Sequence, residues 1–183
     1  MAALSRLLLL VAALTFGGTA MAADLENTLY MDIPAGRVVI EMRPDLAPTT
    51  CAQIKAFVRR GFYDGLTFHR VIDGFMAQTG DPKGDGTGGS GHPVKAEFSS
   101  EPFVRGVVGM ARASDPNSGD SQFFIMFAPN HSLDGKYAVW GEVVSGMEYV
   151  HKIKKGDSAR NGAVTNPDKI IKMQVAADAE KKS

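Results

Sequence analysis

The sequence predicts a mainly β protein, in which a closed antiparallel β-barrel has two helices covering its ends. Three observations predict this class. Most of the hydrophobic periodicity is strand-like, and only two segments have helical spacing. Closing the sheet would also leave no exposed edge strands. Pattern alone leaves a β-sandwich open as the alternative.

Eight segments have the length and composition of strands. The first two flank a Pro-Ala-Gly turn at residues 34–36, which is typical of a β-hairpin. The run 123–127 is apolar throughout and is expected to be covered on both faces, whereas 169–176 alternates and is expected to bury one face. The predicted strands span residues 29–33, 38–42, 67–72, 75–79, 107–113, 123–127, 137–144 and 169–176.

Two segments have helical spacing. In residues 48–60, apolar positions recur at steps of three and four, with a proline suited to the first turn and a glycine suited to the stop. Cys51 lies on this apolar stripe, where a buried thiol is expected rather than a nucleophile. The second helix is expected over residues 145–156, with a serine as its N-cap.

The charges argue against nucleic acid as a partner. The chain carries 20 Lys+Arg against 20 Asp+Glu, for a formal net charge of zero, and has no long basic run. Its single cysteine can neither form an intramolecular disulfide nor build a structural zinc site. We therefore expect a fold that depends on its hydrophobic core.

Residues 1–22 resemble a targeting segment. Arg6 is followed by an apolar run and then by small residues ending at Ala22, the order of a secretory signal peptide. A membrane anchor is the alternative, but glycines interrupt the run before the roughly 20 apolar residues that a span needs. We expect cleavage after Ala22, a periplasmic location and no membrane attachment of the mature chain. Residues 23–183 then form one domain, with a core at about 28–175 and a flexible C-terminal tail at 177–183.

Other chemistries find little support in the sequence. The glycine-rich segment 80–91 contains GxGxxG spacing, but no helical pattern follows it that could receive a pyrophosphate. The four histidines lie 20 or more residues apart, unlike the close pairs typical of metal sites. No GxSxG is present. We expect neither a metal nor a cofactor.

Five blocks of the chain match one family in order and spacing. They are FHRVIDGFMAQTGD at residues 68–81, a GTGG loop within 84–91, GMARA at 109–113, SQFFI at 121–125 and LDGK at 133–136. With these blocks the chain resembles the cyclophilins, a family of peptidyl-prolyl cis-trans isomerases, from about residue 28 to residue 175. The resemblance implies a closed eight-stranded antiparallel β-barrel capped by two α-helices.

The resemblance also implies an activity and a site. The enzyme would accelerate rotation about X-Pro bonds in unfolded or extended polypeptides, with Arg70, Phe75 and Gln78 as catalytic residues. The substrate-binding residues would be Met76, Ala111, Arg112, Gln122, Phe124, Leu133 and Tyr137. A non-catalytic module that binds proline peptides as a chaperone is the alternative, and retention of the catalytic set favours the enzyme.

Three positions depart from the family pattern. Ser132 stands where many members have Trp, Tyr137 where His is common, and Arg112 where Asn follows Met-Ala. Losing the indole removes a large apolar wall and an N–H donor, so we expect weak binding of cyclosporin without loss of catalysis. We expect Arg112 to bias peptide choice toward acidic residues near proline. The protein is expected to be a monomer.

Overall fold

The computed structural model describes residues 24–181, so the expected signal peptide lies outside the described residues. Eight antiparallel strands form one curled sheet, which confirms the prediction of a mainly β fold. The strands are β1 Thr28–Ile33, β2 Gly36–Met42, β3 Arg70–Ile72, β4 Met76–Thr79, β5 Val107–Met110, β6 Phe123–Met126, β7 Val139–Ser145 and β8 Lys172–Val175. Their order across the sheet is β3-β4-β6-β5-β7-β2-β1-β8.

The predicted closure of the barrel is wrong, because the sheet is an open half-barrel with β3 and β8 at its edges. Irregular backbone crosses the gap instead. The amide groups of Gly65 and Phe68 donate to the carbonyls of Ile170 and Asp168 at 2.8 and 2.9 Å. Because these segments pair before the edge strands begin, the strands predicted at 67–72 and 169–176 are shorter than expected.

The helices agree with the prediction only in part. Helix α1, Pro48–Arg59, buries the predicted apolar stripe and packs against β7 and β8. Helix α2, Met147–Val150, is much shorter than the predicted 145–156; it begins only after Gly146, which has a left-handed φ of 88°. No helix within residues 24–181 is long and apolar enough to cross a membrane.

The flexible tail expected at 177–183 stays a prediction, although part of that segment is helical. A third helix, α3, spans Ala176–Glu180 and begins directly after β8. Its Asp178 accepts a hydrogen bond from Nε of Arg59 at 2.8 Å, and Ala176 is buried. This contact joins α3 to the end of α1.

The two faces of the sheet carry two hydrophobic clusters, and β6 contributes to both. Phe123 and Ile125 belong to the larger cluster, whereas Phe124 and Met126 belong to the smaller one. This alternation confirms that the apolar run at 123–127 is covered on both faces. The smaller cluster lies on the face that carries the predicted site residues.

Candidate active site

One row of residues across four neighbouring strands builds the site. Arg70 of β3 is opposite Gln78 of β4, Gln78 is opposite Phe124 of β6, and Phe124 is opposite Gly109 of β5. Residues directly opposite each other in antiparallel strands share a face of the sheet. The register therefore places a guanidinium, an amide and an aromatic ring side by side.

A cavity of about 730 Å³ lies over this row. Its lining includes nine of the ten predicted site residues, which are Arg70, Phe75, Met76, Gln78, Ala111, Arg112, Phe124, Leu133 and Tyr137. The tenth, Gln122, lines an adjoining cavity of about 500 Å³ that shares Gln78 and Arg112 with the first. The structure thus brings all ten residues to one groove, while their individual roles stay predictions.

Three oxygen atoms hold the half-buried guanidinium of Arg70. Nε donates to the backbone carbonyl of Asn161 at 3.0 Å, Nη2 to Oδ1 of Asn161 at 3.0 Å, and Nη1 to Oε1 of Gln78 at 3.0 Å. Nη1 also lies 4.0 Å from Sδ of Met76. All these partners are neutral, and Arg70 has no ion pair among residues 24–181. Burial lowers the pKa of Arg70 from its ordinary value, yet an arginine stays charged at neutral pH.

A chain of amide groups connects Arg70 to the glycine-rich loop. Nε2 of Gln78 donates to Oε1 of Gln122 at 2.9 Å. Nε2 of Gln122 in turn donates to the carbonyls of Gly86 and Gly88 at 3.1 and 2.8 Å. Each side-chain amide has an N–H₂ group that donates and an oxygen that accepts, so all the hydrogen bonds in this series run in one direction. They fix the orientation of both glutamine side chains.

The glycine-rich segment is a loop wrapped around the buried carboxylate of Asp81. That carboxylate accepts the amide protons of Lys83, Asp85 and Gly86 at 2.8, 3.1 and 2.6 Å. Burial acts to raise the pKa of Asp81, but these backbone hydrogen bonds outweigh it and the pKa is lowered. An internal anion thus occupies the donors that GxGxxG spacing would offer to a phosphate.

Aromatic rings form the apolar wall of the cavity. The ring of Phe124 stacks on Phe103 with centroids 5.7 Å apart and meets Tyr137 edge-on at 5.8 Å. Phe75 and Leu133 are partly buried against the same cluster. An open apolar surface bounded by a few polar groups is typical of a small-ligand site.

Two of the three departures from the family pattern, Arg112 and Tyr137, lie at the other end of the groove. The guanidinium of Arg112 lies 4.6 Å above the ring of Tyr137 and donates to the carbonyls of Lys136 and Ala113. Ser132 is exposed, does not line the cavity, and donates to Oδ1 of Asn130 at 2.7 Å. The side chain of Ser132 therefore forms no part of the cavity wall.

Among the lining residues that the sequence did not predict are His69 and Asn161, both beside Arg70. His69 is buried, neither of its ring nitrogens has a hydrogen-bond partner in the described part of the chain, and burial lowers its pKa. It is the residue just before Arg70, so the motif could have revealed it. Asn161 lies far along the chain, and no local pattern points to it.

Outside the groove, the described residues offer neither a reactive thiol nor a metal site. Cys51 is buried, donates to the carbonyl of Trp140 at 3.3 Å, and has its pKa raised to about 11 by burial. This confirms the expected buried thiol. Residues 24–181 contain no group of three or more His, Cys, Asp or Glu side chains that could hold a metal ion.

Comparisons with known proteins show the family of the chain. A family model described as "Cyclophilin type peptidyl-prolyl cis-trans isomerase/CLD" matches residues 28–175. The chain is 59% identical over 174 residues to a "Probable peptidyl-prolyl cis-trans isomerase" of Brucella suis biovar 1, covering 88% of this chain and 89% of that protein. It is 43% identical over 123 residues to "Peptidyl-prolyl cis-trans isomerase B" of Bacillus subtilis, covering 66% of this chain and 85% of that one.

Solved structures show the same fold. Cyclophilin AquaCyp293 from Hirschia baltica matches with a TM-score of 0.76 at 29% identity, covering 85% of this chain and 76% of that one. A cyclophilin-type isomerase from Cryptosporidium parvum, crystallised in the presence of the dipeptide Ala-Pro, matches with a TM-score of 0.73 at 27% identity. That match covers 81% of this chain and 98% of the other.

Proposed function

The chain belongs to the cyclophilin-type peptidyl-prolyl cis-trans isomerase family and is an enzyme of that class, and we propose that Arg70 stabilises the twisted amide of the X-Pro bond. Rotation about a peptide bond has a barrier of about 18–20 kcal/mol, because amide resonance is lost on the way. No covalent step is needed. A catalyst has only to bind the twisted amide more tightly than either planar form.

The observation that carries this proposal is the set of partners around Arg70. A guanidinium has five N–H bonds, and the three oxygens that hold Arg70 leave two of them without an oxygen acceptor among the described residues. As the amide twists, the proline nitrogen becomes pyramidal, and its lone pair, which resonance delocalises in the planar amide, localises and can accept a hydrogen bond from one of these N–H groups. This interaction is absent in the planar ground states, so it lowers the barrier instead of only tightening binding.

The apolar wall supports the second half of the mechanism. A proline ring is small and apolar, and Phe75, Met76 and Phe124 offer it a surface beside the guanidinium. An acceleration of 10⁵ requires about 7 kcal/mol of preferential binding to the twisted amide. A charge-assisted hydrogen bond in a partly desolvated groove, together with a fixed ring, can supply energies of this order.

A proline-isomer-specific peptide assay on the purified protein and on Arg70→Ala tests the mechanism. Removing a donor that acts on the transition state is expected to lower kcat/KM by about a hundredfold or more. Arg37→Ala is the matched control, since Arg37 pairs with Asp32 on an exposed hairpin at 2.7 Å. An Arg70→Ala variant as fast as the unaltered enzyme would refute the mechanism, and an unaltered protein that binds peptide without acceleration would favour the chaperone alternative.

The substrates are proposed to be unfolded or extended proline-containing chains of exported proteins, and the enzyme a periplasmic monomer. The signal-like order of residues 1–22 and the open shape of the groove support this. The mass of the protein recovered from a periplasmic extract should correspond to cleavage after Ala22, with the elution volume of a single chain. A full-length protein confined to the cytoplasm would contradict the location.

Weak binding of cyclosporin is proposed because position 132 supplies no wall. Titration of isomerase activity with cyclosporin should show inhibition only far above nanomolar concentrations, and Ser132→Trp should bind the drug more tightly. Nanomolar inhibition of the unaltered enzyme would contradict this.

The charge of Arg112, which has no carboxylate partner among residues 24–181, supports a preference for acidic residues near proline. Peptides that differ only in charge beside the proline would reveal it.

A further inference from the structure

We propose that Asn161 is a positioning residue that fixes the guanidinium of Arg70 for catalysis, an inference that rests on the proposed role of Arg70. Asn161 provides two of the three oxygen acceptors around Arg70. Its backbone carbonyl accepts from Nε and its side-chain Oδ1 from Nη2, each at 3.0 Å. Gln78 provides the third, at Nη1. All three nitrogens of the guanidinium thus donate hydrogen bonds, two to Asn161 and one to Gln78.

A compact turn carries Asn161 to this place. Asp157 caps the short helical turn Ser158–Arg160, and the amide of Gly162 returns to the carbonyl of Asp157 at 2.8 Å. The turn is then docked along β3. The amide of Val71 donates to the carbonyl of Gly162 at 2.8 Å, and the amide of Val164 donates to the carbonyl of His69 at 3.0 Å. These bonds lie on both sides of Arg70, so the turn cannot shift along the strand without breaking them.

The backbone conformation at position 161 explains only in part why this residue is an asparagine. Asn161 is left-handed, with φ 53° and ψ 36°, a conformation that glycine adopts most easily and asparagine tolerates. A glycine would therefore serve the turn at least as well. The side chain is exposed, so it contributes little to packing. What asparagine adds is the Oδ1 contact with Arg70.

The chemistry of the acceptor also suits the role. A carboxylate in the same place would form an ion pair with Arg70 and offset its charge, whereas an amide oxygen orients the guanidinium and leaves the charge available. A free arginine side chain samples many rotamers, and fixing it before substrate arrives removes that entropic cost from the reaction step. Asn161 thus acts on the rate through Arg70.

Asn161→Gly removes Oδ1 while keeping the left-handed backbone and the carbonyl acceptor. It should lower kcat by about fivefold to tenfold, the effect of losing one hydrogen bond to a charged and partly exposed group. KM should be unchanged, because the apolar wall and Gln122 are intact. The matched control is Asn166→Gly, since Asn166 is also left-handed, with φ 52°, and does not line the cavity. The control should retain the kcat and KM of the unaltered enzyme.

A double-mutant cycle separates positioning from a general structural effect. If Asn161 acts through Arg70, then Asn161→Gly should have no further effect on kcat in an Arg70→Ala background. An equal loss in both backgrounds would overturn the inference, as would an Asn161→Gly enzyme with unchanged kcat. If Arg70→Ala is itself as active as the unaltered enzyme, the proposed mechanism fails, which is a different result from failure of Asn161 alone.

Discussion

Gly109 allows the apolar wall to be tested from beneath, without altering any residue that lines the cavity. It lies opposite Phe124 in the register of β5 and β6. A Cβ added at Gly109 would lie 2.5 and 2.9 Å from Cζ and Cε2 of Phe124, and 2.6 Å from Cε1 of Phe103. Ordinary contacts between carbon atoms are near 3.5–4.0 Å, so in Gly109→Ala one or both rings must move by about 1 Å.

The direction of that movement follows from the packing. Phe103 is fully buried and can yield little, whereas Phe124 lines the cavity and can move into it. Overpacking of this kind costs about 1–3 kcal/mol of the free energy of unfolding. The displaced ring would also narrow the space for a proline ring, so KM should rise severalfold. The effect on kcat should be smaller, because the hydrogen bonds of Arg70 do not involve Phe124.

Urea unfolding and isomerase kinetics measure the two effects on one preparation. Gly119→Ala is the control, because its new Cβ would meet Cγ of the buried Met110 at 2.8 Å and no aromatic ring of the cavity wall. We expect that variant to lose stability by overpacking as well, but to keep its KM. Unchanged stability and KM in Gly109→Ala would refute the reasoning, because the rings would then not be fixed against the backbone of β5.

Two further predictions concern buried titratable groups. Burial lowers the pKa of His69 from its ordinary 6.5, so as the pH falls through that value the unfolded chain binds a proton before the folded one, and the free energy of unfolding decreases. Between about pH 7 and pH 5, the free energy of unfolding of His69→Phe, measured by urea titration, should therefore decrease less than that of the unaltered protein. An equal decrease in both proteins would contradict the lowered pKa of His69. Burial also lowers the pKa of His151, but His151 is present in both proteins and its effect cancels in the comparison. The Cys51 thiol, with its pKa raised to about 11, should not react with Ellman's reagent at pH 8 in the folded protein and should react once urea unfolds it. Equal rates in both states would contradict this.

Local pattern predicted the parts of the fold that depend on neighbouring residues. The apolar stripe of α1 needs only helical spacing, and it is buried as expected. The unbroken apolar run of β6 predicts a strand that is covered on both faces, and its residues pack into two clusters, one on each face. The site residues could not be identified in this way. Composition and spacing do not single out the row of Arg70, Gln78 and Phe124, whereas the resemblance to a family does.

The errors fall where the chain's course depends on contacts that are distant in sequence or on single backbone angles. Helix α2 begins only after Gly146, whose positive φ breaks the helical pattern that the apolar spacing alone suggested. Helix α3, which the sequence did not predict, rests against Arg59 of α1, far away in the chain, and spacing along the chain cannot show such a contact. Secondary structure at such places is decided by tertiary contacts.

The wrong prediction of a closed barrel and the missed residue Asn161 have one physical cause. Closing the sheet would pair the free edge of β3 with β8 and satisfy its backbone groups within the ladder. Because the barrel is open, the amide and carbonyl of Val71 and the carbonyl of His69 need other partners. The turn that contains Asn161 and the residues that flank it supply them, through the carbonyl of Gly162 and the amides of Gly156 and Val164. An edge strand left unpaired by β8 is thus what brings a turn to Arg70, and the opening in the barrel becomes part of the site.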